Sequence, residues 1–433
     1  NIAIEANRNT AAQIGLGLDA PKLWSPANPN LYTMAIFIRK NGQIIDEYTV
    51  PVGLYEIRKT TAEGKPVVQL NGEVFHWKGV EYIEDREGTG QTLDAAGFER
   101  DAIALKTLGA NVVRLRHSSP HPYFAAMCSK YGLLLMAELP VVQAPQSILG
   151  SENIIATAQN TMREMLSAYD WQPSMLAWGI SDGATEGTSA LQTYSKRIID
   201  VIHANSNKMV YKVVPGSAEK ADATGYDFLC FSFVDDDMAT FRQQTTRMAA
   251  TSEGKPVIFC FGKVVQPTNN SGYSHPLSIE AQAKYLRDRY VYLQESSTGE
   301  GCMIWSFNDY MADRPILVAN NNNQHITTSG LVSRSRDTRL SYNVIKALFN
   351  DEKELVITAG TYQEETPYIY TIMSIVLIIL FFVLINSSRR FRENVGRALL
   401  RPYNFYADIR DQRILSNVRT VVLAFILSGT LGL

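Results

Sequence analysis

The chain has 433 residues, 45% of them hydrophobic and 19% charged, and a formal net charge of −2. That length exceeds one average domain and supplies enough apolar surface for a large core, so two or three units are expected. The near-neutral balance, with no basic patch interleaved with aromatics before Glu365, excludes nucleic acid as a partner.

Residues 1–62 alternate in the manner of short strands, and Lys40-Asn41-Gly42 supplies a hairpin turn between two apolar-polar runs. This predicts a piece of a β-sandwich. From residue 63 to about 350 the pattern changes to short apolar strands separated by helical segments such as "GFERDAIALKTLG" and "TYSKRIIDVIHAN". The predicted strands are Val74–Val80, Asn111–His117, Leu133–Leu139, Ser174–Ile180, Lys208–Val214, Phe228–Val234, Pro256–Gly262 and Gly301–Phe307. Eight such alternations predict an α/β fold, a (β/α)8 TIM barrel, in which chemistry sits where strands end. An open doubly wound sheet would want a Gly-rich nucleotide turn after an early strand, and "HWKGVEYIED" is not one. The cysteines Cys128, Cys230, Cys260 and Cys302 lie far apart, which excludes a CxxC metal site and favours buried free thiols.

Residues 351–366 read as a stalk. Residues 367–386, "PYIYTIMSIVLIILFFVLIN", carry no charge over roughly the twenty residues a helix needs to cross a bilayer, and predict a transmembrane helix. The following loop, 387–420, holds Arg389, Arg390, Arg392, Arg397, Arg401, Arg410, Arg413 and Arg419 against Glu393, Asp408 and Asp411. The positive-inside rule puts that loop in the cytoplasm and residues 1–366 outside it. Its arginines either contact anionic lipid or a cytoplasmic partner, or only set topology. A second apolar run, 421–433, reads as the start of another spanning helix, so the expectation is a fragment of a longer multi-pass membrane protein.

With the strand ends aligned, a family resemblance emerges from "LWSPANPNLYT", "LNGEVFHWKGVEYIED", "NVVRLRHSSPHPYFAAMCSKYGLLLMAE", "QPSMLAWGISDG", "GKPVIFCFG", "MIWSFND" and "GLVSRSRDTRLSYNVIKALF". In that order they resemble glycoside hydrolase family 2, the group of β-galactosidases, β-glucuronidases and β-mannosidases. The resemblance implies an immunoglobulin-like sandwich before the barrel, and hydrolysis of glycosides with retention by two glutamates. That reaction needs one carboxyl group to protonate the leaving oxygen and a second, about 5 to 5.5 Å away, to attack the sugar carbon.

Counting through the family's motifs places the acid/base at Gly183 and the nucleophile at Phe261, followed by Gly262. Neither side chain does that chemistry. The family's Asn and Tyr after strand six fall on Ser232 and Val234. Asp182 is the fallback acid, with Glu186 behind it and Asp235 to Asp237 as distant alternatives; the bland reading of Asp182 is a solvated or helix-capping residue. Four positions that the resemblance places in the pocket survive: Arg114, His117, Glu138 and Trp305.

These four either hold a sugar, through hydrogen bonds to hydroxyls and an exposed indole face, or do plainer work. Arg114 and Glu138 then pair with each other, and Trp305 packs on the rim. His117 has no Asp, Glu or His at ligand spacing, so no metal is expected, nor any cofactor. The acidic "EYIEDRE" reads as a hydrated turn that replaces the family's His-bearing loop. The expected function is a membrane-anchored family-2 pseudoenzyme that binds carbohydrate or an envelope protein partner. The alternatives are a retaining β-glycosidase with relocated carboxylates, and a structural ectodomain whose pocket Phe261 closes.

Overall fold

The computed structural model describes residues 15–62, 64–296, 298–312, 323–363, 368–401, 403, 407–408, 410–411 and 417–432. Two compact units result, residues 1–362 and 363–433.

In the first unit, β1 (Tyr32–Lys40) and β2 (Gln43–Val52) form an antiparallel hairpin. Its turn residues Asn41 and Gly42 have φ of 52° and 83°, the left-handed pair that matches strand twist in a two-residue hairpin. A small sheet follows, built from β3 (Ile57–Ala62), β4 (Lys65–Leu70) and β5 (Glu73–Val74).

Eight parallel strands then close on themselves: β6 (Trp77–Tyr82), β7 (Val112–Leu115), β8 (Leu134–Glu138), β9 (Met175–Asp182), β10 (Met209–Pro215), β11 (Phe228–Val234), β12 (Val257–Gly262) and β13 (Gly301–Ile304), with β13 returning to β6 at Gly301 opposite Trp77. The expected barrel is therefore present. Its helices are α1 (Ala95–Leu108), α2 (Pro122–Tyr131), the short α3 (Gln146–Leu149), α4 (Glu152–Tyr169), α5 (Ser189–Asn205), α6 (Met238–Thr251), α7 (Ile279–Ser296) and α8 (Leu340–Phe349). Local chemistry sets their ends: the Asp94 carboxylate accepts from the Gly97 amide at 2.6 Å to start α1, and Gly109 at φ 93° stops it.

The strands are buried on both faces because each serves two cores. Odd and even positions part company, as the period of a strand requires. Phe98, Phe124, Trp178, Tyr194, Phe241 and Phe261 belong to the layer between strands and helices. Trp77, Met136, Tyr211, Phe228, Cys230, Cys260 and Met303 belong to an inner core that Trp24, Val68, Leu70 and Phe75 extend from outside the barrel. The four cysteines are free and buried, as expected. Beyond α8, the segment read as a stalk runs beside residues 272–274. Tyr273 N donates to Thr358 O at 2.9 Å and Ser274 N to Ala359 O at 2.7 Å, and Ile357 is buried with Ala283 and Val344.

In the second unit, α9 (Tyr368–Asn386) is long and apolar enough to cross a membrane by length and composition, with mean hydropathy 2.8 in its apolar window. It meets the helix Asn417–Gly432 through Leu377, Leu384 and Ile426. Between them lies α10 (Arg389–Leu400).

Candidate functional site

At the carboxyl ends of the barrel strands a charged network is assembled around one guanidinium. Arg114 stands on β7 and is 1% exposed. Its Nη1 donates to Glu81 Oε1 of β6 at 2.7 Å. Its Nη2 donates to Glu138 Oε1 of β8 at 2.8 Å and to Asp182 Oδ2 of β9 at 2.7 Å, while Nε donates to Glu138 Oε2 at 3.1 Å. Four adjacent strands thus send one charged residue each to the same point.

Two further residues complete the shell of Glu138. Tyr211 Oη of β10 donates to Glu138 Oε2 at 3.0 Å, and the backbone N–H of His117 donates to Oε1 at 2.8 Å. The tyrosine reaches the carboxylate because β9 carries glycine at 179: a Cβ there would lie 2.6 Å from both Glu138 Cβ and Tyr211 Cζ. His117 has φ 61°, and from that left-handed backbone its ring Nε2 lies 2.9 Å from Asp182 Oδ2.

Electrostatics follow from this geometry. Burial opposes ionisation of Asp182, but the Arg114 guanidinium and the His117 hydrogen bond outweigh it and hold the carboxyl well below the usual carboxylate range. Burial likewise works against the charge of Arg114, and Glu138, Glu81 and Asp182 together reverse it and bind the proton more tightly. The arrangement is a buried cation with three anions, stable only while every member keeps its partners.

Of the four residues expected in the pocket, Arg114, His117 and Glu138 come together here, and Arg114 and Glu138 are partners of each other. Trp305 is 8% exposed, its Nε1 lies 3.2 Å from Tyr310 Oη, and the Arg116 guanidinium sits 5.3 Å from the ring centroid. Its face is therefore covered by a cation, in contrast to the exposed indole that a sugar platform needs. Gly183 ends β9 at φ 69° with a predicted Cβ 3.1 Å from Gln143 Cγ. Phe261 is fully buried in the outer layer, its ring 5.7 Å from that of Phe241 on α6. It does not close the pocket, because its place on the strand faces the helices while Cys260 faces the barrel axis.

The alternative acids are engaged as well. Both oxygens of Glu186 accept from the buried Lys212 Nζ, at 2.8 and 2.6 Å. Asp235 pairs with Lys263 at 2.7 Å, and Asp237 caps α6.

Two expectations are corrected. The run "EYIEDRE" is no hydrated turn: Glu81 is 2% and Asp85 4% exposed, Asp85 being held by Arg334 at 2.9 Å. The strand runs on to Tyr82, so its alternation carries Glu81 inward. The spacing of acids and histidines also hid a cluster that folding creates, since ligand atoms of His117, Glu138 and Asp182 lie within 4.8 Å of one another. The Arg114 guanidinium contacts two of these three residues, Asp182 at 2.7 Å and Glu138 at 2.8 Å. Sequence reasoning missed Glu81, Arg116, Gly179 and Tyr211. The period-two phase set by Arg114 points to Arg116, whereas Glu81, Gly179 and Tyr211 lie on other strands whose phase it does not set.

Residues 63–351 match the family described as glycosyl hydrolases family 2, TIM barrel domain, and residues 2–54 match glycosyl hydrolases family 2. The second match agrees with the expected immunoglobulin-like sandwich piece. The β-glucuronidase of Bacteroides fragilis is 22% identical over 386 residues, 83% of this chain and 53% of the relative. That of Mus musculus is 24% identical over 363 residues, 78% of this chain and 54% of the relative. The chain thus spans about half the length of these curated relatives. Among solved structures, a family-2 β-galacturonidase from Eisenbergiella tayi bound to galacturonate superposes with a TM-score of 0.70 at 21% identity, covering 79% of this chain and 62% of that one. With a family match across the whole barrel and eight strands closed as the fold requires, the chain belongs to glycosyl hydrolase family 2.

Proposed function

We propose that this barrel recognises a carbohydrate or an envelope protein partner without cleaving glycosides, and that α9 anchors it in a membrane with residues 1–366 outside the cytoplasm. The observation that carries the reading is the shared guanidinium: Glu138 and Asp182, whose oxygens approach within 4.8 Å, both accept from Arg114 Nη2. An acid catalyst needs a carboxyl group that still holds its proton near neutrality. Asp182 is pushed the other way. A nucleophile needs an open face toward the sugar carbon, and Glu138 is fully buried.

Recognition then falls to the half-buried edge of the network. The side chains of Arg116, His117 and Asp182 are 25%, 23% and 12% exposed and offer donors and an acceptor to hydroxyl or carboxylate groups. The membrane part of the reading rests on the length and apolarity of α9 and on the arginines that follow it.

The spacing of Glu138 and Asp182 favours one competing reading, a retaining glycosidase with relocated carboxylates. A panel of 4-nitrophenyl β-glycosides, including the glucuronide, galacturonide and galactoside, separates the two. The expected result is no release of nitrophenol above that of Asp182→Asn, with saturable binding of a sugar in the panel or capture of an envelope protein. Nitrophenol release that Asp182→Asn abolishes overturns the proposal.

A further inference from the structure

A groove of about 550 Å³ lies outside the ring of strands, lined from α1, from α8 and from the turns that follow β6 and β13. None of the network residues at the barrel mouth lines it. Its apolar lining comes from Phe307, Val332 and Tyr342, all buried, and its charged lining from Arg86, Arg100 and Arg336. The volume falls within the range of roughly 300–1,000 Å³ usual for small-molecule sites.

The guanidiniums around it are unequally held. Asp101 is 1% exposed and is the shared acceptor of two guanidiniums. Arg336 takes it in a fork, Nε at 2.9 Å and Nη2 at 2.8 Å, and Tyr82 Oη donates at 2.8 Å. What remains for Arg86 is one long contact from Nη2 at 3.3 Å. The Nε of Arg86 is shielded from solvent and has no hydrogen-bond partner among the described residues. Arg100, on the exposed side of α1, lies 3.8 Å from Asp94. Glu87 is the other acid of the lining and is exposed, so with Asp94 the acids equal the guanidiniums in number, but Arg86 and Arg100 are held only by long contacts. A shielded donor without a partner and two loosely held guanidiniums, beside an apolar wall, are the complement of an amphiphilic anion.

We propose that this groove binds a small organic anion, a carboxylate or a phosphate ester, whose charge meets Arg86 and Arg100 and whose apolar body rests on Phe307, Val332 and Tyr342. Arg336 is the positioning residue, because it occupies Asp101 and leaves Arg86 free to turn to the ligand.

The test is isothermal titration of the full chain with benzoate, phenyl phosphate and the neutral benzamide. Either aryl anion is expected to bind saturably, and benzamide not at all; the tighter of the two anions tells carboxylate from phosphate ester. Arg86→Met is expected to weaken binding roughly tenfold or more, the loss that goes with a charge-assisted hydrogen bond. Arg100→Ala, on an exposed helix face that tolerates the change, is expected to weaken it about threefold, in line with a solvent-exposed ion pair, and it keeps the test decisive should Arg86→Met misfold. Absence of saturable heat with both anions, equal binding of benzamide, or unchanged affinity in the folded variants overturns the proposal. Glycoside turnover plays no part in this readout.

Discussion

Replacing Arg114 by methionine keeps the bulk of the side chain and removes the one cation among the described residues that touches Glu81, Glu138 and Asp182 together. Breaking a buried ion pair by deleting one partner costs about 3–5 kcal/mol, because the remaining charge stays buried without compensation. Here three carboxylates lose their shared cation at once, so the upper half of that range applies. The cost stops short of three separate losses, since carboxylates in such a place take up protons instead. For a unit of this size 1 kcal/mol corresponds to roughly 2–4 °C, so the melting temperature is expected to fall by about 10–20 °C.

The pH dependence supplies the sharper criterion. In the native chain the folded carboxyl of Asp182 sits below its unfolded value. The unfolded state therefore binds more protons, and the stabilisation is present above the unfolded value near 3.9 and is lost as pH falls through the folded one. In Arg114→Met Asp182 loses the cation that outweighs its burial, so its proton affinity rises and the loss of stability on acidification is expected to be shallower than in the parent. Thermal melts followed by near-UV circular dichroism at several pH values measure both effects. A variant within 1 kcal/mol of the parent, or one with the parent's pH slope, refutes the argument that Arg114 is the hub of the mouth.

Asp182→Asn is expected to flatten the acid limb of the stability curve below about pH 4 while leaving the neutral plateau lower, as read by denaturant titration. Gly183→Glu restores a carboxylate where the family resemblance places the acid, yet the left-handed backbone at φ 69° makes it cost about 1–2 kcal/mol, and it is expected to yield no turnover on nitrophenyl glycosides. Phe261→Glu puts a charge into the aromatic layer beside Phe241, and the expected result is loss of soluble folded protein; a folded, active variant would show that this position faces the cleft. Burial pushes the Glu300 carboxyl up to about 7, partly offset by the Val68 amide and Lys65. Its folded value lies above the unfolded one, so stability is lost as pH rises toward 7, and Glu300→Gln is expected to remove that decline between pH 5 and 8.

Much of this was written in the chain itself. Eight apolar runs, most of them followed by a helical segment, specify the barrel because parallel strands covered on both faces must be apolar throughout. Asn41-Gly42 names its own turn, and the uncharged run of α9 makes a helix long and apolar enough to cross a membrane, because both depend on local chemistry alone. The absence of carboxylates at Gly183 and Phe261 is likewise a fact of sequence.

What only the tertiary structure decided is which side chains share a space. The run from Val257 to Gly262 is apolar at every position, so no alternation reveals that Cys260 turns inward and Phe261 outward. Glu81, Arg114, Glu138 and Asp182 are separated by 24 to 44 residues along the chain, and nothing but closure of the sheet brings them to one guanidinium. The same closure buried an acidic stretch that reads as a surface turn and laid Arg116 over Trp305. Local preference is encoded residue by residue, whereas a buried charge network exists only where distant strands meet in a medium that leaves charges no other partner.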